Sequence, residues 1–271
     1  MRMMTRMKLK LLLGMSMLLL IAAGPSAVVL AQDGSSNDLS KEEIIKKSQE
    51  AYASLSTYSD EGKVVATMNG YTTTTAFTTR MGRPNLYRIE WKQSTSSPAY
   101  LKSVDTKSPD EAVWSAGEGN FLDTGSGAQQ QETRLMALSR AVGGSGGATA
   151  TVPAMFFKIM CEETLCRIGT DFERQADEKI GEVDCYVFMS STQAGTQTVW
   201  IGKQDFLFRQ IRYIQSAESF KESLGRAAKL IPPHEGNMKV EFTPMTSVET
   251  HSNIVVNQKF SKADFVPSKV Q

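Results

Sequence analysis

The spacing of apolar residues changes at Glu61, and that change limits the possible folds more than any other feature of the chain. Before it, Ile44, Ile45, Ser48, Ala51, Tyr52 and Leu55 recur at i, i+3, i+4 and i+7, which is one face of an amphipathic helix. Ser40 suits its N-cap, Glu42 and Glu43 suit its first turn, and the periodicity runs to about Tyr58. After Glu61 the period is two. Val64, Ala66 and Met68 alternate with Lys63, Val65 and Thr67, Asn69-Gly70 supplies a hairpin turn, and a Thr-rich strand follows over 72–80. Gly82-Arg83-Pro84-Asn85 turns the chain again. Tyr87, Ile89 and Trp91 then face one way while Arg88 and Glu90 face the other, the pattern of a sheet with one wet face.

Further short strands are expected at 100–104, 112–115, 120–123, 171–177, 184–190, 197–202 and 206–214, with Met238, Val240 and Phe242 alternating and 254–256 closing the set. A helix over 129–142, a glycine-rich run and a short helix from Val152 to Phe157 form a helical insertion spanning about 129–160. Residues 220–230 read as a loop or short helix. About ten strands with no βαβ rhythm and no internal repeat predict an α+β fold built on a strongly curved antiparallel sheet.

The first 31 of the 271 residues differ from the rest. Arg2, Arg6, Lys8 and Lys10 precede the apolar stretch 11–23, and Val29-Leu30-Ala31 offers small residues before Gln32, the plan of a cleaved signal peptide. That leader takes four basic residues and no acid with it, so the formal charge moves from +1 to −3. No later stretch approaches the ~20 apolar residues of a second span. Residues 32–39 read as a flexible polar lead, and 40–271 as a single domain. No cysteine stands near the cleavage point, so a free periplasmic protein is expected in a Gram-negative type of cell.

The sequence is poor in catalytic side chains. No basic cluster follows the leader, which argues against a nucleic-acid partner. His234 and His251 stand apart with no sequence-evident acid or nucleophile beside them, and no H-E-x-x-H or C-x-x-C spacing occurs, so no metal or other cofactor is implied. Gly143-Gly144-Ser145-Gly146-Gly147 matches G-x-S-x-G formally, yet it follows a predicted helix rather than a strand and reads as a flexible loop. Asp110-Glu111 and Glu162-Glu163 are adjacent pairs, which in a strand face opposite sides. No enzyme activity is expected. Of three cysteines in an oxidising compartment, Cys161 and Cys166 are close enough in sequence to favour a mutual bridge, while Cys166 with Cys185 is the competing pairing.

What remains is apolar surface on a sheet that does not close, which makes a lipid-sized pocket. Its expected lining is Met68, Phe77, Tyr87, Ile89, Trp91 and Trp114 from strands, with Leu135, Met136 and Phe156 from helices. A one-residue error in the assignment of faces would reverse every strand position.

Arg83-Pro84-Asn85-Leu86-Tyr87 followed by Trp91, the N-terminal amphipathic helix, the strand carrying Trp114, the helical middle and the closing Phe265-Val266-Pro267 together resemble the outer-membrane lipoprotein carrier (LolA-like) superfamily along nearly the whole mature chain. The stretch from Ala141 to Pro153 and Asp184-Cys185-Tyr186-Val187-Phe188 are more like a divergent branch than like the carrier, and Ser108-Pro109-Asp110-Glu111 lacks the glycine of the carrier's turn. The resemblance implies an unclosed half-barrel wrapped around helices, acyl chains on its concave face, and a role for Arg83 in holding a helical lid. It also implies a monomer whose partners are a lipid or acylated lipoprotein and a membrane-protein donor or acceptor. The alternative use of the fold is an envelope module that binds a protein partner.

Overall fold

In the computed structural model, residues 39–97, 106–159, 171–228 and 243–268 are described. The expected signal peptide, most of the polar lead, the strand at 100–104, the Met238 to Phe242 alternation, Cys161, Cys166 and His234 lie outside them.

Helix α1 spans Lys41–Ser54 and opens with a capping box. The Glu43 amide donates to Ser40 Oγ at 3.2 Å, and the Ser40 amide donates to Glu43 Oε2 at 2.8 Å. Ile44, Ser48 and Tyr52 form its buried stripe. The helix stops at Ser54 rather than near Tyr58, because the chain is already in strand β1 at Thr57–Met68.

The Asn69-Gly70 expectation holds. Asn69 has φ 49° and Gly70 φ 79°, the two left-handed positions of a primed turn, and β2 (Tyr71–Gly82) returns antiparallel to β1. Next come β3 (Leu86–Ser96), β4 (Thr106–Lys107), β5 (Glu111–Ser115), β6 (Asn120–Asp123) and β7 (Gln129–Gln131). Helices α2 (Arg134–Ala141) and α3 (Val152–Phe157) flank the glycine-rich segment. Strands β8 (Glu173–Ile180), β9 (Val183–Thr192), β10 (Gly195–Gly202) and β11 (Phe208–Gln215), helix α4 (Ala217–Ala228), strand β12 (Met245–Val256) and a 3-10 turn at Lys262–Phe265 complete the order.

Two expectations are corrected here. Residues 129–131 are a strand paired with β6, so the expected 129–142 helix begins only at Arg134. Strand β12 is twelve residues long, not the short 254–256 closing piece.

All pairings are antiparallel, in the order β7-β6-β5-β3-β2-β1-β12-β11-β10-β9-β8, with β4 on the end of β3. The two end strands, β7 and β8, do not pair, so the sheet is unclosed. Laid flat, that path would be about 48 Å wide at ~4.8 Å per interval, whereas a helix is about 10 Å across. Yet one apolar core joins Leu122 on β6 to Tyr186 and Phe188 on β9 by way of Tyr52, Phe156 and Phe208. The sheet therefore curls around α1 and α3, which pack on one another, while α2 lies against β5 and β6. This is the curved, unclosed half-barrel expected from the sequence.

Curling brings inner-face side chains close together, and Gly62 shows how close. A Cβ there would stand 2.2 Å from Phe77 Cζ and 2.4 Å from the Thr250 carbonyl oxygen. Gly62→Ala is expected to cost about 3 kcal/mol by over-packing, since neither the ring nor the strand backbone can retreat cheaply; urea unfolding that shows no loss would contradict this.

Candidate functional site

Strand register assigns the faces. Phe77 pairs with Trp91 and Met81 with Tyr87 across β2 and β3, and Ile89 pairs with Val113 on β5. These residues share the inner face and are buried: Tyr87 and Ile89 are 0% exposed and Phe77 and Trp91 3%. Phe156, also 0% exposed, meets them from α3. Met68 has the same parity but is only half-buried beside the hairpin turn, and Met136 is half-buried on α2.

Two expected lining residues are misplaced. Trp114 pairs with Arg88 and Phe121, which puts it on the outer face, stacked on Phe121 with centroids 5.4 Å apart. The C-terminal segment lies over that face: Arg88 Nη1 donates to the Val266 carbonyl at 2.8 Å, and the 3-10 turn packs on β2 and β3. Leu135 is 48% exposed on the outward side of α2.

The inner face is covered by the chain itself. The glycine run, expected to be a flexible loop, lies flat on the sheet. A Cβ on Gly144 would be 2.9 Å from Glu111 Oε2 and 3.3 Å from Trp91 Nε1, and one on Gly146 would be 3.2 Å from Thr75 Oγ1. Gly146 and Gly147 also have φ of 65° and 109°. Ser145 is fully buried and hydrogen-bonded to the Val142 carbonyl and to Thr149, so it presents no nucleophile.

Arg83 joins this cover to α1. Its Nε donates to the Leu55 carbonyl at 2.9 Å, and its Nη2 donates to Tyr52 at 3.1 Å and to Phe156 at 2.7 Å. The guanidinium also lies 4.5 Å from the Phe156 ring centroid. One side chain thus donates to carbonyls at the ends of both α1 and α3.

The opposite end of α3 meets a buried polar group that the sequence reading did not find. Asp60 on β1 and Glu249 and His251 on β12 are 3%, 5% and 4% exposed, all on the inner face. His251 Nδ1 is 2.6 Å from Asp60 Oδ2, which also accepts from Tyr58 OH at 2.8 Å. His251 Nε2 is 3.1 Å from Glu249 Oε1, at ion-pair distance but poorly aligned for a hydrogen bond. Thr151 Oγ1, at the start of α3, donates to that same Glu249 oxygen at 2.5 Å. Burial alone would push the imidazole down; the hydrogen bond to Asp60 and the nearby Glu249 carboxylate outweigh it and raise His251 to about 10, so it is a cation at neutral pH. Burial and Asp60 push Tyr58 well up, so it stays a phenol. Glu249-Thr250-His251 was the available signal, since i and i+2 on a strand share a face.

The remaining chemistry is sparse. Among the described residues no group of three or more His, Cys, Asp and Glu is placed to hold a metal ion, and no helix is long and apolar enough to cross a membrane. Cys185 is a free thiol buried on the outer face with Val187 and Trp200, and burial raises its pKa. A groove of about 470 Å³ lies mainly over the outward residues of β1 to β3, where Lys92 pairs with Asp110 at 3.1 Å and the Ser268 amide donates to Glu90. Its walls set charged side chains beside apolar surface from Ala76, Phe77 and Trp91.

No protein-family model and no curated protein matches the sequence. Solved structures do. The chain is similar to a LolA superfamily protein. That protein, from Nitrosomonas europaea, is 10% identical over 85% of this chain and 99% of its own, with a TM-score of 0.30. A DUF1329 family protein from Desulfovibrio piger is 12% identical over 85% and 98%, with a TM-score of 0.32. LprF from Mycobacterium bovis is 10% identical over 82% and 94%, with a TM-score of 0.39. The architecture described above stands on strand order and register alone.

Proposed function

We propose that this chain is an exported, non-enzymatic binding protein that takes the acyl chains of a lipid or lipoprotein onto the inner face of its half-barrel. The observation that carries this reading is a broad apolar face, with Phe77, Tyr87, Ile89 and Trp91 at its centre, covered by the glycine-rich segment and the helices rather than by another sheet. Entry of a ligand displaces that segment, and the contacts of Arg83 with Tyr52, Leu55 and Phe156 break as it leaves. Each acyl methylene buried in its place contributes ~0.8 kcal/mol, so a single chain offsets several hydrogen bonds. Loading from a membrane protein and delivery to another acceptor complete the cycle in this reading, with the leader directing the monomer to the periplasm.

A second reading has its own support. The inner face is already filled, since Tyr87, Ile89 and Phe156 are 0% exposed under the chain's own helices. A filled half-barrel suits an envelope module that engages a protein partner through its surface. Mass spectrometry of an organic extract of the purified protein separates the two. The carrier reading expects phospholipid or acylated peptide at near one equivalent; an empty protein that retains one specific membrane protein overturns it.

A further inference from the structure

The end of the cover where α1 and α3 stop carries positive charge without an acid to balance it. Arg80, Arg88, Arg174 and Arg209 each stand against a carboxylate. Among the described residues, Arg83, Arg134 and Lys158 have no acidic side chain at ion-pair distance. All three lie together. Arg83 Nη2 donates to the Phe156 carbonyl, Lys158 is the exposed C-cap of α3, and Arg134 Nη1 donates to the Pro84 carbonyl at 3.0 Å, next to Arg83. Two rings join the arginines: Arg83 lies 4.5 Å from the Phe156 centroid, Arg134 lies 4.1 Å from that of Phe157, and the rings meet edge-on at 4.9 Å.

Arg134 is poorly served by its own surroundings. It is the first residue of α2, where the helix dipole is positive and disfavours a cation, and the first turn holds no acid. Its Nε is buried with no hydrogen-bond partner among the described residues. Burial lowers its pKa; of the ionisable groups that act on it, Tyr87 is a buried phenol that keeps its proton and Arg83 is another cation. One neutral carbonyl and one aromatic face offset only part of these costs. An anion accepting from both guanidiniums relieves the mutual repulsion and the dipole together.

We propose that Arg134 and Arg83, with Lys158 beside them, form a binding site for the phosphate of an anionic lipid headgroup. This site presupposes the carrier reading and narrows its ligand to acyl chains that bear a phosphate. Phe156 and Phe157 belong to the apolar core, so chains leaving a headgroup held here start against the same rings on which the arginines stack. Planar guanidinium forks suit phosphate oxygens two at a time. For Arg83 the phosphate is also a stronger acceptor than the three carbonyls it serves in the closed protein. Headgroup capture therefore loosens its hold on α1 and α3 and opens the way for the acyl chains.

Calorimetric titration of the full chain, freed of lipid, tests this with lysophosphatidic acid and with the monoacylglycerol that lacks only its phosphate, both below their micelle concentrations. The phosphate is expected to confer about tenfold tighter binding in dilute buffer, an advantage that shrinks as salt screens it. Arg134→Gln should bring the two affinities together, and Arg134→Lys should recover less than half of the difference. Inorganic phosphate alone should bind far more weakly than lysophosphatidic acid. Equal affinities of the wild type for the two lipids, or an Arg134→Gln protein that weakens both by the same factor, overturn the headgroup site and leave the carrier reading standing. Binding of neither lipid overturns both. Inorganic phosphate that binds as tightly as lysophosphatidic acid overturns the lipid as the source of the anion. The wild-type comparison needs no variant, so it stays decisive even if Arg134→Gln fails to fold.

Discussion

Asp60→Ala is expected to lower the free energy of unfolding by about 3–5 kcal/mol at neutral pH, the range for removing one partner of a buried ion pair. The side chain accepts from Tyr58 and lies 2.6 Å from a protonated imidazole, and its loss strands both. His251 can then escape only by losing its proton or by admitting water, and either reduces the pH dependence that its raised pKa confers. Urea unfolding at several pH values measures both effects. The wild type should be most stable below about pH 6.5 with respect to this group and weaken toward 10, with a slope of at most about 1.4 kcal/mol per unit. In Asp60→Ala that slope should shrink. A cost under about 1 kcal/mol would mean that the pair contributes little beyond the apolar packing around it.

Arg83→Leu has the next largest effect. It removes three charge-assisted bonds to the carbonyls of Tyr52, Leu55 and Phe156. At ~1.5–3 kcal/mol for each charged bond, discounted because the site is only part-buried, the expected loss is about 3 kcal/mol, or roughly 6–12 °C in Tm for a domain of this size. Arg83→Lys keeps the charge but not the planar fork that serves two helix ends at once, so it should recover less than half of that. If the inner face takes acyl chains, Arg83→Leu also alters how long they are retained. An unchanged off-rate of a bound fatty acid would count against Arg83 as part of the cover's attachment.

The fold was legible wherever one physical signal dominated. Asn69-Gly70 specifies a primed turn by backbone conformation alone, Ser40 with Glu43 caps its helix locally, and Pro153 marks the start of α3. Legibility failed where tertiary structure replaced the usual pattern. Gln129–Gln131 carries no apolar residue to mark a strand, and only pairing with β6 makes it one. Strand β5 is covered on both faces, so Ala112, Val113 and Trp114 are all buried and alternation could not tell which faces inward. Strand β12 was nearly invisible because its central inner positions hold Glu249 and His251. Those positions are tolerated only because Asp60, nearly two hundred residues earlier, supplies the other half of the arrangement. The inner-face positions of Phe77, Tyr87, Ile89 and Trp91 were legible; the glycine-rich segment that covers them was not, because a run of glycine reads as freedom until a surface is present for it to lie against.

The order of strands also governs assembly in time. The last strand made, β12, occupies the middle of the sheet, between β1 from the beginning of the domain and β11. Until it arrives, β1 to β7 and β8 to β11 are two sheets with bare facing edges, each half of a core that neither can enclose. The contacts that join β12 to β1 span almost the full length of the domain, and non-local pairing of that kind forms slowly. Those exposed edges are also where an unfinished molecule would pair with a neighbour instead of with itself.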